Sequence, residues 1–211
     1  MRKALFFSVF VGLCMFCSAQ VKIGLFGGPQ ITSSKYVIDH KKQPNSYKYG
    51  FQLGTSLKIP FENKLFFSPA AFYSLKGYKV KFNQHSHQPD SLAIDNNTTI
   101  HTFEIAPLLQ YDFSNQPNHF FIKMGPSIDF QLYGREKFNR SNRTSVEQEM
   151  VFSFAKYGRV AANVLVQFGF ETKSGLLFFA HYTHGIGSMN NDDEGPGIWH
   201  RAIGISVGKY L

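Results

Sequence analysis

Phe120-Phe121-Ile122-Lys123-Met124-Gly125-Pro126-Ser127-Ile128-Asp129-Phe130-Gln131-Leu132-Tyr133 is the stretch on which the architecture turns. Its apolar residues recur at every second position. A strand sends successive side chains to opposite faces, so Phe120, Ile122, Met124, Pro126, Ile128, Phe130 and Leu132 share one face. Phe121, Lys123, Gly125, Ser127, Asp129, Gln131 and Tyr133 share the other, which is mostly polar. A helix with one buried face would instead repeat its apolar residues three and four apart.

The same alternation runs through Thr99–Phe113, where Phe103, Ile105, Pro107, Leu109, Tyr111 and Phe113 oppose Thr102, Glu104, Ala106, Leu108, Gln110 and Asp112. It returns in Gly158–Glu171, with Val160, Ala162, Val164, Val166, Phe168 and Phe170 against Arg159, Ala161, Asn163, Leu165, Gln167 and Gly169. It closes the chain with Ile203, Ile205, Val207 and Leu211 opposite Ala202, Gly204, Ser206 and Gly208. Fainter stripes cover Val21–Thr32, Tyr47–Ile59, Lys64–Phe82 and Gly175–Gly187, making eight predicted strands. They exceed the ~5–6 residues of an ordinary globular strand and reach the ~9–11 that a tilted strand needs to cross a bilayer.

The predicted connections alternate in length. Ser33–Ser46, Asn83–Thr98, Gly134–Phe154 and Ser188–Gly197 are long, whereas 60–63, 114–117 and 172–174 are short. Short turns at one end and long loops at the other are the pattern of an up-and-down barrel in an outer membrane, with the long loops outward. Pro29, Pro69, Pro107 and Pro126 fall inside the predicted strands, where strand ends or bulges would accommodate them.

Composition agrees with this reading. The 211 residues include 23 Phe and 10 Tyr, and only 17% are charged. Mean hydropathy is slightly negative, as alternation produces in a membrane barrel. The formal net charge of +8 is spread along the chain without a basic, aromatic-interleaved motif, so nucleic acid is excluded as the expected partner. Anionic lipid or lipopolysaccharide is the partner that such a basic surface would meet in an outer membrane.

The N-terminus reads as an export leader. Arg2-Lys3 is a positive start, Ala4 to Phe16 an apolar run too short to span, and Cys17-Ser18-Ala19 a small-residue site for cleavage after Ala19. Cleavage after Gln20 is the less regular choice. Leu13 and Phe16 precede the two cysteines, where a lipoprotein signal wants Gly, Ala or Ser. The expected division is therefore 1–19 as signal peptide and 20–211 as barrel, and the mature chain has no cysteine for a disulfide, a thiolate metal site or a nucleophile.

Which face meets lipid follows from cost, since a lysine or arginine facing hydrocarbon costs roughly 2–4 kcal/mol at the midplane. Lys58, Lys76, Glu104, Lys123, Asp129 and Arg159 all oppose the apolar stripes and are assigned to an interior polar network. Gly24, Gly54, Ala70, Gly125, Ala161 and Gly204 leave them room. Glu104, Lys123 and Asp129 imitate a catalytic constellation, but a buried structural ion network is the better reading. His85, His87 and Asp90 have metal-pair spacing in an outward loop without a third ligand. Asp192-Asp193-Glu194-Gly195 lacks the spacing of a calcium loop. His181 and His184, three apart on one strand, face opposite ways and cannot share a metal. No catalytic residue, cofactor site or metal site is assigned.

Thr102-Phe103-Glu104-Ile105-Ala106-Pro107-Leu108-Leu109-Gln110-Tyr111, followed by Phe120-Phe121-Ile122-Lys123-Met124-Gly125-Pro126, resembles the PorT-like outer-membrane β-barrel proteins of Bacteroidota, in which an "EIPLLLKY" strand precedes an "FYVKAGP" strand. Phe178 to Ile186 resembles that family's "LGIRYTLGL" strand, and Ala202 to Leu211 its closing "FSIGVGYRF" strand. The chain departs from it by ending in Tyr210-Leu211 rather than Phe, at the strand read by the barrel-assembly machinery. The resemblance implies an eight-stranded antiparallel transmembrane barrel in the outer membrane. It specifies a barrel and hardly a function; the long outward loops point to a non-enzymatic role in the cell envelope, by adhesion, envelope attachment or partnership with secretion or envelope-complex proteins. Two rival arrangements share the strand count: an outer-membrane lipid-modifying enzyme, and a secreted lipocalin-like carrier whose apolar stripes face inward.

Overall fold

The computed structural model describes residues 21–83, 90–142, 144–192 and 194–211. The alternating stripes become strands β1 (Lys22–Ile38), β2 (Lys41–Lys42), β3 (Asn45–Ser46), β4 (Lys48–Glu62), β5 (Leu65–Lys81), β6 (Ala93–Asp112), β7 (His119–Arg140), β8 (Ser145–Glu149), β9 (Val160–Glu171), β10 (Leu176–Gly185) and β11 (Gly197–Tyr210). Eight are long, and each pairs antiparallel with the next long strand along the chain. β11 returns to β1 over Gly24↔Tyr210 to Val37↔Gly197, so the sheet closes and no long strand keeps a free edge. The short β2, β3 and β8 extend β1, β5 and β7 at the end where the long connections lie.

The predicted stripes face outward. Ile23, Leu25, Leu53, Ile105, Leu109, Met124, Phe168, Ile203, Ile205 and Val207 are exposed, while their strand neighbours are mostly buried inside. This overturns the lipocalin-like arrangement, which requires the reverse. The belt has two aromatic borders. Phe113, Phe120, Phe168 and Phe170 cluster at the short-turn end, with ring centroids 5.0–6.3 Å apart. Tyr73, His101 and Tyr133 form a row at the loop end, 6.0 and 5.7 Å apart. Such girdles mark the two interfaces of a membrane barrel.

The strands run farther than the stripes announced. Parts of the predicted loops are strand: β1 runs on to Ile38, β6 begins at Ala93, β7 runs on to Arg140 and β11 begins at Gly197. Beyond the belt the apolar stripe changes sides. On β5, Phe67 and Leu75 point out, whereas farther on Tyr78 and Val80 point in and Lys79 and Lys81 point out. β1 repeats this with Leu25 outward and Tyr36 and Ile38 inward. Outside a bilayer the outer face must suit water and the inner face closes a core, so the inversion is what solvation demands.

On β7 the switch uses a bulge. Thr102 pairs with Gln131 and His101 with Tyr133, leaving Leu132 without a partner. An extra residue lets two neighbours share a face. Tyr133, expected inside, therefore joins Leu132 outside, and Glu136 and Phe138 turn inward. The four prolines lie inside strands as predicted, away from strand ends and bulges, and point toward the belt. Each interrupts the ladder on one side while register continues. β1 and β11 skip from Gly27↔Val207 to Gln30↔Gly204 around Pro29. β4 and β5 skip around Pro69, and β6 and β7 skip from Ile105↔Ile128 to Leu109↔Met124 around Pro107 and Pro126. Proline lacks the N–H of one ladder bond, which accounts for the one-sided gaps.

Candidate functional site

The interior is built in layers that follow from the order of inward residues on each strand. At the short-turn end stand Lys58, Asp112, His119 and Glu171. Above them an apolar layer joins Phe26, Phe72, Leu108, Phe121, Leu165 and Phe179, with Phe26 edge-on to Phe72 and Phe179 at 5.7 and 5.6 Å. A polar middle follows. The loop end is filled by Tyr36, Ile38, Tyr78, Val80, Ile100, Phe138, Met189 and Ile198. An eight-stranded barrel has room for side chains and little else, and here two apolar layers cross it.

In the polar middle, Lys76 donates to Asp129 at 2.7 Å and lies 2.5 Å from Glu104. All three are buried. Beside them Gln52 donates to Ser206 at 3.0 Å and contacts His181 Nδ1 at 3.2 Å, while His181 Nε2 lies 3.3 Å from Gln30 Oε1. Gln52 Nε2 donates to Nδ1, which leaves the ring N–H on Nε2 to donate to Gln30 Oε1. Gly204 makes room for that ring, since a Cβ there would lie 2.6 Å from His181 Cε1. His184 on the same strand faces outward, away from His181.

Of the six residues assigned to one interior network, the structure unites three: Lys76, Glu104 and Asp129. Lys58 lies a barrel layer away, 2.6 Å from Asp112 and 2.6 Å from Glu171. Lys123 is buried, with the Tyr210 hydroxyl 3.3 Å from its ammonium and aromatic rings around it. Arg159 is a correction. It precedes β9, is exposed, and donates to the Phe152 carbonyl at 3.1 Å. The predicted stripe begins at Gly158, two residues before β9 and its pairing with β7.

Asp112, His119 and Glu171 were not assigned to the network. Their ligand-type atoms lie within 4.8 Å of one another. His119 Nδ1 lies 2.9 Å from the Gln116 carbonyl, and its Nε2 is 3.0 Å from Asp112 and 3.4 Å from Glu171. The Lys58 ammonium contacts the same two carboxylate oxygens, so a protein cation stands where an ion would be held. Lys22 adds a contact to Glu171 at 3.2 Å from a half-exposed position. A cavity of about 400 Å³ opens beside Lys58, Asp112, His119 and Glu171 at this mouth. Lys58→Met is expected to lower stability by about 1–3 kcal/mol, because the two carboxylates keep Lys22, His119 and solvent within reach. Chemical denaturation in detergent measures it.

Among the described residues no serine hydroxyl is hydrogen-bonded to a histidine. His85 and His87, Asp193 of the acidic loop, and the leader 1–19 lie outside the described residues.

A closed eight-stranded barrel with an apolar outer belt, aromatic borders and a filled, ion-paired interior is a small outer-membrane β-barrel. The family model described as outer membrane protein beta-barrel domain matches residues 18–191, and the chain belongs to that family. Solved structures with likeness to it include OprG from Pseudomonas aeruginosa (16% identity, TM-score 0.46, covering 89% of this chain and 95% of that one). Ail, the attachment invasion locus protein of Yersinia pestis, in complex with the heparin analogue sucrose octasulfate, is another (11%, TM-score 0.45, 90% and 99%). Neisserial surface protein A is a third (12%, TM-score 0.41, 88% and 96%). No curated protein sequence matches the chain.

Proposed function

We propose that this chain is a non-enzymatic interaction protein of the outer membrane, in which the barrel is a filled anchor and the raised loop end meets a protein partner. The observation that carries this is the pairing of a core-filled rim with apolar side chains left on its outside. Strands continue past the belt into the packed cluster of Tyr36, Tyr78, Phe138 and Met189. Outside that cluster Phe154 is 98% exposed, with Val151 and Leu92 also exposed. A fully exposed phenylalanine away from the lipid belt is a natural anchor for a partner pocket.

The finer assignment to the PorT-like branch in Bacteroidota is supported by the strand motifs around Pro107 and Pro126. With it goes the reading of a secretion- or envelope-complex partner, of export through a leader cleaved after residue 19, and of insertion by the barrel-assembly machinery. A photo-crosslinking amino acid at Phe154, in growing cells, is expected to give a discrete adduct with an envelope protein. The same probe at Ile205, in the belt, should give lipid adducts only. Absence of a protein adduct from both Phe154 and Val151 would refute the reading.

A further inference from the structure

One part of the outer wall carries more cations than counter-ions. Above the Tyr73–His101–Tyr133 row, the outward residues of β5, β6 and β7 pair across as Gly77↔Thr99↔Arg135 and Lys79↔Asn97↔Lys137. The next row is Lys81↔Asp95, with Asn139 beside it. Arg135 and Lys137 lie 3.9 and 3.8 Å from Glu147 of β8 and are thereby offset. Lys48, Lys79 and Lys81 have no carboxylate within ion-pair distance among the described residues.

Lys48 is the informative member. Its stem lies across Gly77, where a Cβ would come within 2.7 Å of it. Its ammonium is held by neutral acceptors alone: Asn97 Oδ1 at 2.7 Å, Thr98 O at 3.0 Å and Thr99 Oγ1 at 2.5 Å. Lys79 and Lys81 line a groove of about 230 Å³ with Ser46, Asp95, Asn97 and Asn139, in which Asn139 Nδ2 donates to Asp95 Oδ1 at 2.7 Å; the Lys48 ammonium stands beside it on Asn97. Two lysines of its wall and Lys48 beside it outnumber the single carboxylate there, directly above a girdle and continuous with the lipid-facing wall. This is the height at which a leaflet's headgroups begin.

We propose that this groove seats a phosphate of the lipid A headgroup of lipopolysaccharide, with Lys79 and Lys81 supplying charge and Ser46 a hydrogen bond from its wall, and Lys48 adding charge from beside it. Phosphate is the match because it accepts several charge-assisted bonds at once. A lipid-borne phosphate is the match because the groove adjoins the belt that holds acyl chains. The proposal rests on the loop end facing outward. Labelling of an Asn142→Cys variant on intact cells tests that orientation separately.

The test uses the folded barrel in detergent, with retained lipid counted by native mass spectrometry. Lys48→Gln/Lys79→Gln/Lys81→Gln is expected to weaken binding of bisphosphorylated lipid A by about tenfold or more, from roughly 1 kcal/mol per basic residue near an anionic surface. Dephosphorylated lipid A should bind wild type and variant alike. Lys41→Gln/Lys42→Gln/Lys156→Gln removes the same charge elsewhere on the rim and should leave binding within about twofold of wild type. Unchanged binding in the first variant, or an equal loss in the second, would overturn the site. Displacement of lipid A by an equal concentration of inorganic phosphate would overturn the lipid as its occupant. A heat-shift gel confirms that each variant is folded.

Discussion

Lys76→Met is expected to destabilise the folded barrel by about 3–5 kcal/mol, because removing one member of a buried ion group strands the others. Glu104 and Asp129 would be left facing each other across β6 and β7, paired in register and nearly inaccessible to solvent. Glu104 Oε2 and Asp129 Oδ1 already have no donor within the protein. The Lys76 ammonium is therefore the main compensation for both charges. Urea titration in liposomes would show the loss as a lower midpoint. Trp199, the only tryptophan, reports it from the loop end, beneath the Lys35 ammonium at 4.8 Å. Lys76→Met/Glu104→Gln/Asp129→Asn should recover most of the stability, since neutral amides can share hydrogen bonds at this spacing. If the single variant unfolds at the wild-type midpoint, the triad is not the compensation described. The contrast with Lys58→Met separates depth from charge count: Lys58 also bridges two carboxylates, but at a mouth with Lys22, His119 and solvent at hand.

Alternation placed Lys76, Glu104, Lys123 and Asp129 inside because a strand in a membrane has one wet option and one dry option. It could not show which of them meet. Lys58 and Glu171 are 113 residues apart, and Lys76 and Asp129 are 53 apart, so their contacts depend on register around the closed sheet. Nor could it show the apolar layer within the barrel. Phe26, Phe72, Phe121 and Phe179 sit on the inward face among glycines and serines, where single-strand patterning reads them as exceptions. The bulge at Leu132 left no mark, because an unpaired apolar residue next to Tyr133 still fits an alternating stripe until Tyr133 must pair with His101. The raised rim was legible in principle. The side-switch at Leu75, Tyr78 and Val80 is present in the sequence, but a search for one continuous stripe treats it as the stripe's end.

The second large effect follows from the belt itself. Arginine placed along the outward face of β6 is expected to trace the bilayer as a depth profile. Ile105→Arg, near the middle of the outward apolar run, should cost about 2–4 kcal/mol. Tyr111→Arg, at the short-turn border, should cost about 0–1 kcal/mol. Thr99→Arg, one row above His101, lies beyond the belt and should carry no bilayer cost, leaving only the cost of a like charge opposite Arg135 and of the lost Lys48 contact, about 1 kcal/mol together. All three positions face outward on one strand, so strand propensity is common to them, and a Thr99→Arg/Arg135→Gln variant removes the like-charge pair that Thr99→Arg alone creates, leaving the lipid as the variable. Folding into liposomes, with unfolding by guanidinium, supplies the free energies. A profile that is flat from Thr99 to Tyr111 would mean that the outward stripe does not meet hydrocarbon, and the membrane assignment of the belt would fall with it. A maximum at Ile105 would fix the midplane there and set Lys48, Lys79 and Lys81 at one interface. It would also give the side-switch on β5 its physical cause, because the apolar face must turn inward where hydrocarbon stops and water begins.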